Sequence, residues 1–203
     1  MRAAPIGLAV IVAVAGCAAA RPASEPPDLA AAIAASFRAR GQAGLDRLQQ
    51  SELQRECSRP QPDPLPADMQ ERLQKQALQT VRFPDDARWL GDWKRGEAIA
   101  QSGSGLQHSD PPAAARGGGC YGCHQLSGSE ISYGTLGPSL YRYLERNGAG
   151  ADAMQRTWAR IWNPHTVNAC SIMPRFGDGG ILTPDQIRDV MALLFDPQSP
   201  VNR

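Results

Sequence analysis

One pentad constrains what this chain can fold into more than any other part of its sequence: Cys120-Tyr121-Gly122-Cys123-His124. The order C-x-x-C-H is the attachment signature of c-type haem, in which each thiol adds across one haem vinyl group and the histidine supplies an imidazole to the iron. Two residues between the cysteines let one turn of backbone present both sulfurs to the same porphyrin edge. We therefore expect one covalently bound haem c, attached through Cys120 and Cys123 and ligated by His124.

Two other uses of a C-x-x-C pair compete with haem attachment. A thioredoxin-like redox motif sits between a strand and a helix, and the three glycines at 117–119 do not offer that setting. A structural zinc site needs a second pair of ligands. The sequence therefore favours haem over both alternatives.

The sixth ligand of a haem iron is commonly a methionine or a histidine. Met173 is the predicted axial ligand because it lies in an irregular stretch with proline and glycine, residues 170–177, just before the last predicted helix. A methionine on a helix more often packs in the core. That expectation applies to Met69, Met154 and Met191.

Two histidines are the rival ligands, His165 and, less strongly, His108. Both are expected at the surface as ordinary polar residues. A His/Met pair implies a closed, six-coordinate iron that passes electrons and does not bind substrate. A ligand-binding haem sensor or a peroxidase would need an open distal position, and Met173 argues against that class.

The first twenty residues have the pattern of an export signal. Met1 and Arg2 precede an apolar run at 6–14, which is too short for a membrane span of about 20 residues. Residues 14–17 resemble a bacterial lipobox, which would make 1–16 a lipoprotein signal and Cys17 the lipidated first residue. The three alanines that follow Cys17 offer an ordinary cleavage site instead, with a signal peptide of residues 1–20. Either cut places the mature protein in the periplasm, and the first adds a lipid anchor.

Of the five cysteines, one belongs to the signal region and two to the pentad, which leaves Cys57 and Cys170. Export to an oxidising compartment predicts a disulfide between these two residues. The alternative is a pair of buried free thiols, since the geometry that a disulfide needs cannot be read from a sequence.

Five helices can be placed by their periodicity and end signals, and one or two more are expected between Leu29 and Cys57. One is predicted over residues 67–81, one after an N-cap at Asp92, one over 138–148, one over 151–162 and one after the N-cap Thr183. No alternating strand pattern of useful length is found. The sequence therefore predicts an all-α protein.

The chain divides into three predicted parts: the signal at 1–20, a helical N-terminal extension at 21–83 and a haem domain at 84–203. The formal net charge is +1, and no basic run is interleaved with aromatic residues. A near-neutral chain of this kind gains little from the field of a polyanion. Nucleic acid is therefore not an expected partner.

Five stretches together resemble SoxX, the monohaem cytochrome c subunit of the SoxAX complex of bacterial thiosulfate oxidation. They are residues 90–94 (LGDWK), 120–126 (CYGCHQL), 133–140 (YGTLGPSL), 170–177 (CSIMPRFG) and 180–183 (GILT). The resemblance covers roughly residues 80–203 and is much more specific than C-x-x-C-H alone.

The resemblance implies a class I cytochrome c fold with a helical N-terminal extension, and a haem with His124 and Met173 as axial ligands. It also implies a SoxA-like cytochrome subunit as partner, a SoxYZ-like carrier and a downstream electron acceptor. In that family the pair attaches thiosulfate oxidatively to a carrier cysteine, and the substrate site belongs to the partner. This chain would then hold no catalytic residue of its own. The alternative is a free-standing periplasmic cytochrome c that shuttles electrons.

Overall fold

The computed structural model describes residues 28–59, 65–112 and 114–203. Within these ranges the regular elements are helices, and the β-type pairing found there is one isolated antiparallel bridge between Arg40 and Ala43. The all-α prediction is confirmed. None of the helices in these ranges has the length and apolarity needed to cross a membrane. The predicted signal at 1–20, with Cys17, lies outside the described residues.

The chain forms two compact units, Met1–Phe37 and Arg38–Arg203. The described part of the first unit contains helix α1, Leu29–Ser36. Its N-cap is Asp28, whose carboxylate accepts a hydrogen bond from the backbone N–H of Ala30 at 3.0 Å.

The second unit contains six α-helices in its described residues. They are α2 (Glu52–Cys57), α3 (Ala67–Gln79), α4 (Trp93–Gln101), α5 (Tyr143–Asn147), α6 (Ala151–Trp162) and α7 (Pro184–Phe195). Short 3-10 turns connect them at Leu45–Leu48, Cys120–Gly122, Pro164–Thr166 and Pro200–Asn202. The residues predicted as extension and as haem domain, from 38 onward, belong to this one unit.

The helices with strong end signals begin where the sequence predicts. Helix α4 begins after Asp92, whose carboxylate accepts hydrogen bonds from the N–H groups of Lys94 and Arg95 at 2.9 and 3.0 Å. Helix α7 begins after Thr183, which forms a reciprocal capping box with Gln186. Helix α6 has the predicted bounds, and α3 ends two residues before the predicted 81.

The helix predicted to start at Pro138 instead starts at Tyr143, so that boundary was wrong. The backbone N–H of Leu140 donates to the carbonyl of Gln125 at 2.8 Å, and Arg142 donates to the Val201 carbonyl. Arg142 also adopts a left-handed conformation, φ 57°. These residues bond to distant segments instead of forming a first helical turn.

The core is organised by helices α4 and α7, which cross in close contact. A Cβ atom at Gly96 would lie 2.1 Å from the carbonyl oxygen of Asp189 and 3.1 Å from the Cβ of Leu193, so only glycine fits. The buried Asp189 carboxylate accepts hydrogen bonds from the Arg95 guanidinium at 2.8 Å and from the Asp92 N–H at 2.8 Å. The start of α4 is therefore fixed on α7.

Helix α3 of the predicted extension packs on the haem-domain residues of the same unit. Leu73 and Ala77 are buried on its inner face, and the Gln74 side-chain amide donates to the Val167 carbonyl at 2.8 Å. Just beyond the helix, the Asn163 amide donates to the hydroxyl of Thr80 at 3.0 Å. The extension therefore contacts the segment that leads toward Met173.

Candidate haem attachment site

The two cysteines of the pentad begin and end a single backbone turn. The N–H groups of Cys123 and His124 both donate to the carbonyl of Cys120, at 3.0 and 2.9 Å. Gly119 precedes the turn in a left-handed conformation, φ 58°, which glycine adopts without strain. Neither Cys120 nor Cys123 forms a disulfide. One turn thus presents two free thiols followed at once by an imidazole.

Cys120 packs against the hydrophobic core, and burial raises the pKa of its thiol to about 11. The thiol is therefore protonated at neutral pH. Redox-active C-x-x-C motifs have the opposite character, because their nucleophilic cysteine has a lowered pKa. This environment does not favour the thioredoxin-like alternative.

The ring of His124 is held by the segment that follows the pentad. Its Nδ1 lies 2.7 Å from the carbonyl oxygen of Pro138, so Nδ1–H donates there and Nε2 carries a free lone pair that can bind a metal. A Cβ at Gly137 would lie 2.1 Å from His124 Cε1 and 2.7 Å from Nε2. The glycine allows the backbone to contact the ring, and the residues present fit a histidine that ligates a haem iron.

Sequence reasoning missed the roles of Gly137 and Pro138. The sequence pattern indicates a helix start at Pro138, whereas its carbonyl is the acceptor that orients His124. The Gly-Pro pair was visible in the sequence, but its contact with the histidine depends on a chain reversal. Gly134 allows the returning backbone to pass directly against the pentad, since a Cβ there would lie 2.0 Å from the Gly122 carbonyl oxygen.

Met173 is half-buried and packs against the same hydrophobic core as Cys120. Its backbone N–H donates to the hydroxyl of Ser171 at 3.2 Å, in a non-helical segment as expected. Met191 is fully buried in the core, as the core-packing interpretation predicts. Met154 is half-buried against that core. Met173 as an axial ligand stays a prediction.

The two rival histidines have different environments. His108 is exposed in a loop, as predicted. His165 was expected at the surface, but it is 8% exposed, so that expectation was wrong. It lies in the Pro164–Thr166 turn, which packs on α3 and α6, and burial lowers its pKa. His165 is therefore a neutral, buried imidazole.

Apolar side chains are exposed on both segments that carry the predicted ligands. Leu136 is 70% exposed, next to Gly137, which contacts the His124 ring. Ile172 is 77% exposed, next to Met173. Tyr133 is 40% exposed on the first of these segments.

Two cavities have volumes of about 530 and 490 Å³, and the second is lined by Tyr121 of the pentad. Glu97 and Ser127 line both, and Tyr121 and Leu126 line the second. Neither is lined by the predicted haem ligands or attachment cysteines. In the described part of the chain, no group of three or more His, Cys, Asp or Glu residues is arranged to hold a metal ion.

The predicted disulfide is present. Cys57 at the end of α2 is bonded to Cys170, with an S–S distance of 2.03 Å and a Cα–Cα distance of 5.4 Å. The alternative of two buried free thiols was therefore wrong. The bond joins the predicted extension to the segment that carries Met173.

The described residues define an all-α protein whose C-x-x-C-H turn and methionine segment share one hydrophobic core. The chain belongs to the same family as a protein of Aquifex aeolicus (strain VF5) named as an uncharacterized lipoprotein. The two are 36% identical over 156 residues, which cover 76% of this chain and 73% of that protein. No protein-family model matches the chain.

Proposed function

We propose that this chain is a monohaem c-type cytochrome with a class I cytochrome c fold, which transfers electrons. The observation that carries the proposal is the fixed imidazole of His124, whose Nδ1 is bonded to Pro138 while Gly137 allows close contact with the ring. A backbone acceptor of this kind is what metal-ligating histidines use to fix their tautomer and orientation. Bound haem would supply one-electron redox chemistry.

The residues of this chain have distinct roles in the proposal. The thiols of Cys120 and Cys123 would hold the haem through thioether bonds, and His124 Nε2 would ligate the iron. The Pro138 carbonyl keeps the imidazole oriented and increases its basicity as a ligand. Met173 would be the sixth ligand and would close the iron to other molecules. Cys120 and Met173 are both half-buried against the hydrophobic core.

Lipid anchoring at Cys17 is the second part of the proposal. The family relative from Aquifex aeolicus carries the word lipoprotein in its name. That name favours the lipobox cut at 1–16 over the ordinary signal-peptidase cut at 1–20. We therefore place the cytochrome in the periplasm, with its N-terminus attached to the membrane by lipid.

The physiological role that we propose is that of the SoxX-like electron outlet of a thiosulfate-oxidising complex. The five SoxX-like stretches support it, and the exposed Leu136 and Ile172 offer apolar surface for a SoxA-like partner. The substrate site would lie on that partner, with a SoxYZ-like carrier and a downstream electron acceptor completing the system. A free-standing electron shuttle is the alternative, and it requires no stable partner.

Haem ligation is tested by producing the chain with a c-type haem maturation system. We expect one acid-stable haem per chain and a near-infrared haem–sulfur band in the oxidised protein. Replacing Met173 with alanine should abolish that band, lower the reduction potential and allow carbon monoxide to bind the reduced protein, because the thioether ligand is lost. Met154→Ala on α6 is the matched control and should keep the band.

Two results would contradict this assignment. Absence of covalent haem in the unmodified chain would remove the cytochrome proposal itself. A haem–sulfur band that survives Met173→Ala would remove Met173 as the ligand and direct attention to another methionine. A histidine-ligated spectrum in the unmodified chain would point to His165 instead.

The sulfur-oxidation role is tested by co-purification from the native host. A stable complex with a second haem protein, reduced by thiosulfate only when the carrier protein is added, is the expected result. Haem staining and absorption spectra of the purified material provide the measurement. Isolation of a single monohaem protein that thiosulfate and carrier do not reduce would leave the electron-shuttle alternative.

A further inference from the structure

Met173 lies midway between two anchored residues, Cys170 and Phe176. On its C-terminal side the chain is fixed to the core, because Phe176 is 5% exposed and its carbonyl accepts hydrogen bonds from the N–H groups of Ile181 and Leu182 at 2.9 Å. The next residue, Gly177, donates to the Trp162 carbonyl at 3.1 Å. This side of the methionine segment is therefore held by packing and by backbone hydrogen bonds.

The N-terminal side of Met173 is held by packing only as far as Ala169, which is 2% exposed. The N–H of Ser171 donates to the Asn168 carbonyl at 3.0 Å, and the N–H of Met173 donates to the Ser171 hydroxyl. Both bonds are local, and Ile172 between them is 77% exposed. The disulfide of Cys170 connects residues 170–173 covalently to Cys57, in another part of the described chain.

The other half of that disulfide belongs to a folded element. Helix α2 ends at Cys57 and begins with a capping box at Ser51, and Glu52 on α2 pairs with Arg72 on α3 at 3.0 Å. Helix α3 in turn contacts the Pro164–Thr166 turn, and its Gln74 amide binds the Val167 carbonyl. The disulfide therefore joins the methionine segment to α2, which an exposed ion pair connects to α3, the helix that packs on the Pro164–Thr166 turn.

We propose that helices α2 and α3 act, through the Cys57–Cys170 bond, as the positioning element of the axial methionine. This inference rests on the proposed cytochrome function. An intact bond holds Met173 on the iron. An external dithiol can open it: the S–S bond takes up two electrons and two protons to give two thiols, and the dithiol is oxidised to its own disulfide. Opening the bond frees the segment and exposes an iron coordination position.

The test uses the haem-loaded full chain and two variants that break the connection in different ways. Cys57→Ala with Cys170→Ala removes the disulfide. The second variant keeps the disulfide and receives two additional glycines after Ser171, which uncouples Cys170 from Met173 without loss of the cross-link. The control receives the same two glycines after Ala149, in the exposed turn between α5 and α6.

Three properties are measured with ascorbate as the haem reductant, which leaves the disulfide intact. They are the haem–sulfur band, the midpoint potential and carbon monoxide binding. Both variants should lose the band, shift to lower potential and bind carbon monoxide, whereas the control should match the unmodified protein. Because an insertion beside Met173 displaces the methionine by itself, loss of the three properties in the insertion variant supports the proposal only together with their loss in the double alanine variant.

The outcomes separate this inference from the proposed function. Retention of the band in both variants would overturn the positioning role, and so would loss of the band in the double alanine variant alone, because general destabilisation would then account for it. An unmodified chain that carries no covalent haem, or no haem–sulfur band, would refute the cytochrome assignment before the variants are compared.

Discussion

Replacing Cys57 and Cys170 together with alanine is expected to lower the free energy of unfolding by roughly 4–5 kcal/mol. The two cysteines are separated by 113 residues, so the disulfide closes a long loop and restricts the unfolded chain strongly. A loss of this size is a large share of the roughly 5–15 kcal/mol that stabilises an ordinary domain. Denaturant-induced unfolding of the oxidised protein and the variant measures the difference.

The matched control for this stability change is the unmodified protein with its disulfide reduced. Reduced protein and double alanine variant should unfold at similar denaturant concentrations, because both lack the same restriction on the unfolded chain. The single variant Cys57→Ala should fall in the same range. A difference below about 1 kcal/mol between oxidised and reduced protein would contradict the prediction and indicate that the unfolded chain is compact without the bond.

Local signals in the sequence predicted the elements whose ends depend on neighbouring residues. Asp92 and Thr183 bind N–H groups only two or three positions further along the chain, so their capping roles can be read directly. Tyr143 begins its helix late for a different reason. The preceding residues bond to Gln125 and Val201, and these partners are distant in sequence.

The residues of the candidate site also separate into those that local sequence predicts and those that depend on contacts with distant segments. The order of Cys120, Cys123 and His124 is a local chemical pattern, and its meaning depends on no distant residue. The contacts that hold the His124 imidazole come from Gly137 and Pro138, which approach it from another segment. The burial of His165 also depends on tertiary packing, and its polar side chain gave no sign of it.

The disulfide could be predicted by elimination, and the sequence alone places it three residues before Met173, but the contacts that support it could not be predicted. Cys57 and Cys170 were the cysteines left after the signal and the pentad had been assigned, and an oxidising compartment favoured their pairing. Helices α2 and α3 support the disulfide through contacts such as the ion pair between Glu52 and Arg72. Such contacts join separate helices and leave no periodic pattern.

Replacing Gly96 with valine is expected to lower the free energy of unfolding by about 3 kcal/mol, near the upper end of overpacking costs. Its Cβ would lie 2.1 Å from the Asp189 carbonyl oxygen and 2.6 Å from the carbonyl carbon, and these backbone atoms cannot rotate away. Helices α4 and α7 would have to separate. Ala98→Val, at an exposed position of α4, is the matched control and should cost less than about 1 kcal/mol from helix propensity.

The same substitution should reduce haem attachment, because α4 also positions the residues before the pentad. The N–H of Gly118 donates to the carbonyl of Ile99 at 2.8 Å, two residues before Cys120. A displaced α4 would move this connection and the turn that presents both thiols. Covalent haem per chain, measured together with denaturant unfolding, should fall in Gly96→Val and stay unchanged in Ala98→Val. Equal stability and haem content in the two variants would show that the helix crossing tolerates a side chain at Gly96.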